Sequence, residues 1–354
     1  MTRTYLDFNA TAPLRPEARA AVIAAMDVVG NPSSVHAEGR AAKSVIEKAR
    51  GQVANAVGCL PDEVVFTAGA TEAAMVLESA ARHGEVWVDP TAHDALYSHA
   101  GGAVPGGPST LAMGLANSET GIVTEPGTKT DGSWRFGERR ADWLLVDITQ
   151  AVGRIPFSYS WSGADMAVLS AHKLGGPKGV GALIVKRGLD ISPLSTGGGQ
   201  EMGRRSGTEN IAGIAGFGAA IEASVRDLES GVWAEVEKLR NILETALATG
   251  SNETILVGKE ERRLPNTTCL VTPGWKGETQ VMQLDLAGFA VSSGSACSSG
   301  KVRTSRVLRA MGFDERAAGS AVRVSLGPTT TEDEVRAFAD AWLALYEKFR
   351  RKAA

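Results

Sequence analysis

The chain has 354 residues, of which 37 are basic and 40 acidic, giving a formal charge of −3, and 43% of it is hydrophobic. That length buries one large core and a satellite, and that apolar fraction excludes disorder as the overall state. The near-balance of charge removes the electrostatic case for nucleic-acid binding, and no run approaches the ~18 uncharged apolar residues of a membrane span.

In chain order, Thr4–Phe8 is a short strand or extended arm that Pro13 and Pro16 end. The opening MTRTYLDFNATAP has no apolar h-region, so no signal peptide is expected. Apolar residues at helical spacing predict a helix over 17–29, a turn-rich loop over 30–39 and a second helix over 41–57, broken by Gly58. Val64–Thr67 is a β-branched and aromatic run, followed by Gly69 and a helix opened by Ala70, Thr71 and Glu72 and running to about Ala81. Such a strand–glycine–helix turn presents unpaired N–H groups to which a phosphate can bind, although alone it is an ordinary feature. Further strands are expected at 86–89, 111–115, 144–147, 166–169 and 181–185, and Arg139-Arg140 is taken as a solvated helix face. Short, uniformly apolar runs of this kind belong to a mostly parallel sheet buried on both faces, with ligands at the carboxyl ends of its strands. Beyond Ile211 the texture changes to helices at 212–228 and 232–247, strands at 264–271, 291–292 and 322–326, and a closing helix over 332–349. The expectation is an α/β chain with a large cofactor domain over 15–230 and a smaller α/β domain made of 1–14 and 231–354.

Polar groups collect at the ends of the apolar runs. Lys173 follows one strand and precedes Gly175-Gly176-Pro177, with Ser170 and His172 beside it; an aldehyde cofactor needs such an amine to form a Schiff base. Asp147 ends the run LLVD and Gln150 lies three residues on. A carboxylate there suits the protonated ring nitrogen of an electron-sink pyridine, although a turn acid is the plainer alternative. His93, in the polar loop PTAHDAL, is of a type that stacks on a ring and moves protons near neutral pH. No His/Cys spacing supports zinc, and no GxGxxG follows the first sheet strand, so neither a metal nor a dinucleotide enzyme is expected. Cys59, Cys269 and Cys297 are odd in number and far apart, which disfavours a disulfide framework and fits a reducing, cytoplasmic setting. Cys297 sits among Ser292, Ser293, Gly294, Ser295, Ala296 and Ser298, a loop that presents a thiol rather than burying it. Arg323, inside the strand-like AVRVSLG, needs an anionic partner, either a bound carboxylate or a structural ion pair.

The segments YLDFNATAP, GNPSSVHAEGRAA, VVFTAGATEA, ANSETG, VDITQAVG, SAHKLGGPKGVGAL, GGGQEMGRRSGTEN, SSGSACSSG and VRVSLGPTTTEDEV occur in that order along the chain. Together they resemble, nearly end to end, the cysteine desulfurases of the iron–sulfur assembly branch, which are fold-type-I pyridoxal-phosphate (PLP) enzymes of the class V aminotransferase group. The resemblance implies that Lys173 carries pyridoxal 5'-phosphate, that His93 stacks over its ring, and that Asp147 pairs with the pyridine nitrogen and Gln150 with the phenolic oxygen. It further implies that Ala70, Thr71, Ser170 and His172 hold the phosphate, with Thr208 reaching the phosphate of the other subunit of a homodimer. Asn117 and Arg323 would position the carboxylate of L-cysteine. Cys297 would take its sulfur as a persulfide, leaving alanine, and pass it to a scaffold or other sulfur-acceptor protein. No resident metal is implied; Cys297 would at most be a transient cluster ligand.

The chain departs from that pattern in a shortened 94–116 segment, in Ser118 where a second asparagine is usual, in Ala73 and Ala74 where polar residues are usual, and in Met202 where arginine is common. A class V aminotransferase would not need Cys297, and a selenocysteine lyase is a nearer variant. A non-catalytic relative would lose the lysine or the ring-facing acid, and both are present.

Overall fold

The computed structural model describes residues 3–102, 104, 106–294 and 304–353. The chain divides into two compact units: Ala12–Ala116 with Thr124–Leu228, and Met1–Thr11 with Asn117–Val123 and Glu229–Ala354.

The first unit is built on six strands: β1 (Val64–Thr67), β2 (Glu85–Val88), β3 (Ser109–Gly114), β4 (Trp143–Asp147), β5 (Met166–Ser170) and β6 (Gly181–Val185). Their order across the sheet is β1-β6-β5-β4-β3-β2. The pairs β2–β3, β3–β4 and β4–β5 are parallel, while β6 runs antiparallel to both β5 and β1. Every residue of β1, β5 and β6 is buried, which is why these segments read as unbroken apolar runs rather than alternating ones. On one face Val65, Val86, Ala112, Leu145, Val168 and Leu183 form a common core with Leu77 and Leu96.

Local chemistry explains where the structure differs from sequence expectation. The second helix begins at Ala37, inside the expected loop, because His36 caps it by accepting the Gly39 N–H on Nδ1; histidine is not among the usual cap residues. The helix expected from Ala70 to Ala81 is two, Ala70–Ala73 and Val76–His83. Arg139-Arg140 do not lie on a helix. They belong to Arg139–Ala141, the last strand of an antiparallel meander with Lys129–Thr130 and Ser133–Phe136. Asp131 and Gly132 both have positive φ, 52° and 79°, as a two-residue hairpin turn with the strand twist requires. Trp134 donates from Nε1 to Asp165 Oδ2 at 2.8 Å and so fastens the meander beside β4, whose Leu144 N–H the same oxygen accepts.

The second unit has a four-stranded antiparallel sheet of β7 (Ile255–Leu256), β8 (Thr267–Val271), β9 (Ser292–Ser293) and β10 (Ala321–Ser325), in the order β7-β8-β10-β9. Helices Val232–Gly250 and Glu332–Ala353 pack together in it, and the N-terminal Thr4–Tyr5 pairs in parallel with Phe289–Ala290. Asn117–Val123, inside the span expected for the large domain, joins this unit through hydrogen bonds from Val123 N to Arg262 O (2.8 Å) and from Leu264 N to Gly121 O (2.7 Å).

In the first unit, Arg50 donates to both oxygens of Glu201 at 2.8 Å and to the Val64 carbonyl at 2.7 Å, while Glu201 accepts the Phe66 N–H at 2.8 Å. Both side chains are buried, and Glu201 and Met202 hold φ of 48° and 58°, a conformation non-glycine residues rarely adopt. Removing one member of a buried pair strands the other charge. Arg50→Met is therefore expected to lower urea-unfolding stability by about 3 kcal/mol, and Arg50→Met/Glu201→Met by less than the single change. A single-variant loss below about 1 kcal/mol would contradict this role for the pair.

Candidate active site

The register of the sheet lines up the residues of interest. Gly114 lies opposite Asp147, Asp147 opposite Val168, and Gly181 opposite both Ser170 and Thr67. The carboxyl ends of β1, β3, β4 and β5 thus share one edge with the amino end of β6, and the loops leaving that edge carry Gly69–Thr71, Asp147–Gln150 and Ser170–Lys173. Asn117, at the start of the segment that joins the second unit, is not part of this set.

Close packing shapes one end of the edge. A Cβ on Gly181 would lie 2.5 Å from the Leu169 carbonyl oxygen and 2.7 Å from Gly69 Cα, so only glycine allows β6 to start there. The turn after β1 is thereby drawn against β5, where a Cβ on Gly69 would sit 3.6 Å from Ser170 Oγ. The first N–H groups of the Ala70–Ala73 helix have no acceptor within the helix and open beside that hydroxyl. Glu72 secures the turn from below, accepting the Ala68 N–H and, at 3.0 Å, Arg205 Nε.

Asp147 Oδ1 accepts the Thr149 N–H at 2.9 Å, which leaves Oδ2 as the oxygen that can face a ring N–H. Gln150 is buried, and its Oε1 accepts from Arg154 Nη1 at 2.5 Å. A guanidinium only donates, so the amide orientation is fixed and the NH2 end is the one that can serve a ligand oxygen. Arg154 Nη2 donates to the Lys173 carbonyl at 2.7 Å. Sequence reading missed Arg154, whose only signal was its place four residues after Gln150. Lys173 itself ends a short 3-10 turn, Ala171–Lys173, directly after β5, and is half-buried.

His93 caps the short helix Asp94–Tyr97, its Nδ1 accepting the Ala95 N–H at 3.1 Å. The neutral ring then carries its proton on Nε2, so in this state it is a donor from Nε2. Burial, then the neighbouring Lys173 and Lys178 charges, push the His172 pKa down to about 4. It is a neutral hydrogen-bonding group at pH 7, not the cation a phosphate-holding histidine suggests. Thr208 is exposed and borders a small cleft of about 70 Å³ with Thr67, Ala68 and Arg205.

In the second unit Arg323 donates from Nη1 to the Ser118 carbonyl at 3.0 Å and from Nη2 to Asp7 Oδ1 at 2.8 Å. Its Nε is buried without a hydrogen-bond partner among the described residues. Arg323 therefore makes a structural ion pair and keeps a further donor. Ser118 contributes its main chain, so the change from the usual asparagine spares this contact. Asn117 Oδ1 accepts the N–H groups of Glu119 and Thr120, both at 2.9 Å, which leaves its amide nitrogen as the donor end. Burial and, less so, nearby acids push the thiols of Cys59 and Cys269 up to about 12, so both stay protonated and unreactive. Cys297 lies outside the described residues.

Among the described residues there is no cluster of three His, Cys, Asp or Glu side chains that could hold a metal, and no helix long and apolar enough to cross a membrane. A family profile described as aminotransferase class V matches residues 4–96 and 112–338. A cysteine desulfurase of Frankia sp. (strain EuIK1) is 38% identical over 95% of this chain and 89% of its own length. A cysteine desulfurase of Cereibacter sphaeroides is 35% identical over 95% and 93%. The crystal structure of a NifS-like protein from Rickettsia africae ESF-5 superimposes with a TM-score of 0.85 at 29% identity, covering 98% of this chain and 99% of that one.

The His172 shift has a sign. The folded-state pKa lies below the unfolded value of 6.5, so the unfolded chain binds more protons between pH 6.5 and 4 and stability is lost as pH falls through that window. In the cofactor-free protein, His172→Gln is expected to flatten the fall in chemical-denaturation stability between those limits; an unchanged slope would show that His172 is not held neutral.

Proposed function

Because this chain belongs to the cysteine desulfurase family, within the class V aminotransferases, we propose that it converts L-cysteine to L-alanine and moves the sulfur to Cys297 as a persulfide. The observation that carries this reading is the gathering of an amine, a carboxylate and oriented donors on one sheet edge. The residues fit the pyridoxal phosphate that membership implies. Lys173 supplies the amine, Asp147 an oxygen for the ring nitrogen, Gln150 an amide N–H for the phenolic oxygen, and Ala70, Thr71, Ser170 and His172 the donors for a phosphate. Bound there, the cofactor stores the electron pair released when the substrate loses its Cα proton.

The remaining steps belong to the chain. Lys173 would supply the amine that takes up the Cα proton of the substrate. His93, stacked over the cofactor ring, would offer its Nε2–H as a hydrogen-bond donor to the reacting groups. Arg323 and Asn117 offer donors to the substrate carboxylate. The Cys297 thiolate attacks the substrate sulfur, the carbon–sulfur bond breaks with its electrons going to carbon, and two protons complete alanine. The sulfur remains on Cys297 as a persulfide for transfer to an acceptor protein in iron–sulfur or other sulfur-cofactor synthesis. We place this in a cytoplasmic homodimer in which Thr208 serves the partner's phosphate; its exposure supports that assignment. The protonated state of Cys59 and Cys269 supports Cys297 as the acceptor.

Incubation of the purified, cofactor-loaded protein with L-cysteine and a reductant is expected to give alanine and sulfide in equal amounts, with Cys297→Ala abolishing both. Pyruvate in place of alanine, or a Cys297→Ala rate equal to wild type, would point to an eliminase or transaminase instead.

A further inference from the structure

The loop between β4 and β5 brings a buried cation to the sheet edge. After Asp147 the chain makes two tight turns: Ala151 N and Val152 N donate to the Ile148 carbonyl, and Arg154 N and Ile155 N to the Ala151 carbonyl. Gly153 closes them with φ of 73°, in a space where a Cβ would meet Ser224 Oγ at 2.4 Å. The turns carry the Arg154 side chain back under the residues that precede it, where it is 3% exposed and Gln150 5%. Water has little access to replace either contact.

One planar guanidinium therefore spans two elements. Nη1 reaches the Gln150 oxygen and Nη2 the Lys173 carbonyl, at 2.5 Å and 2.7 Å. The first bond decides which end of the Gln150 amide faces away from the guanidinium, since that group has no acceptor. The second fixes the main chain from which the Lys173 amine projects. We propose that Arg154 is a positioning residue: it holds the Gln150 amide with its nitrogen toward the cofactor's phenolic oxygen and registers Lys173 to the same frame. A lysine cannot reproduce this, because a single ammonium lacks the fork that serves two acceptors in one plane.

The inference rests on the cofactor roles proposed above for Gln150 and Lys173. An N–H aimed at a phenolic oxygen favours its ionised form, so losing that donor raises the pH at which the bound cofactor's visible band titrates. The expected rise is about one pH unit, the equivalent of one hydrogen bond.

The test is a spectrophotometric pH titration of the pyridoxal-phosphate-loaded protein, with the cofactor dissociation constant measured in parallel by equilibrium dialysis. Wild type, Arg154→Met, Gln150→Ala, the double variant and Arg154→Lys are compared. Arg154→Met is expected to raise the midpoint by as much as Gln150→Ala, the double variant to add nothing further, and Arg154→Lys to give a smaller rise. Should Arg154→Met fail to fold, the Arg154→Lys midpoint and its combination with Gln150→Ala carry the same test. A midpoint unmoved from wild type in the folded Arg154 variants, or shifts that add in a double variant, overturns the proposal. Wild-type protein that titrates as described but yields no alanine from cysteine overturns the functional reading alone. Wild-type protein that takes up no cofactor overturns both.

Discussion

The site depends on a missing side chain. At Gly181 the main chain of β6 starts so close to the Leu169 carbonyl and Gly69 Cα that a single methyl group would have to displace backbone. That approach holds the turn after β1 against the end of β5 and sets Ser170 beside the start of the Ala70–Ala73 helix. Because β6 alone runs antiparallel, its amino end reaches the edge where its neighbours finish. An open α/β sheet places ligands outside its carboxyl ends; here the reversal of one strand closes the cradle on one side.

Two kinds of electrostatic control are layered on that frame. The first selects protonation states by burial: His172 is kept neutral, and Cys59 and Cys269 are kept as thiols. The second selects orientation through groups that can only donate, so that each partner must present its acceptor atom. Arg154 turns the Gln150 amide, Ala95 N–H fixes the His93 tautomer, and the Asn117 loop N–H groups turn its amide. Arg323, tied to Asp7 and Ser118, makes a structural ion pair, and its Nε stays unsatisfied among the described residues, a donor left over for the carboxylate role proposed for it.

What the sequence made legible follows from this physics. Strands buried on both faces leave uniform apolar runs, so β1, β4, β5 and β6 could be placed within a residue or two, and Asp147 and Ser170 stood out as polar endings. The roles of Thr208, Asn117 and Gln150 came from resemblance alone, because spacing says nothing of which loops meet. The meander over 129–141 was hidden by its charge: KTDGSWRFGERR reads as a solvated surface unless Asp131-Gly132 is weighed as a hairpin turn. Arg154 was invisible because its two partners lie on separate elements, and the attachment of Asn117–Val123 to the second unit depends on main-chain bonds that no side-chain pattern announces.

The central claim is that Lys173, at the end of β5, is the amine that carries the cofactor. Borohydride reduction of the pyridoxal-phosphate-loaded protein, followed by proteolysis and mass spectrometry, tests it most directly. The account predicts a phosphopyridoxyl group on the peptide containing Lys173 and on no other; a label found instead at Lys178 or any other lysine would contradict it.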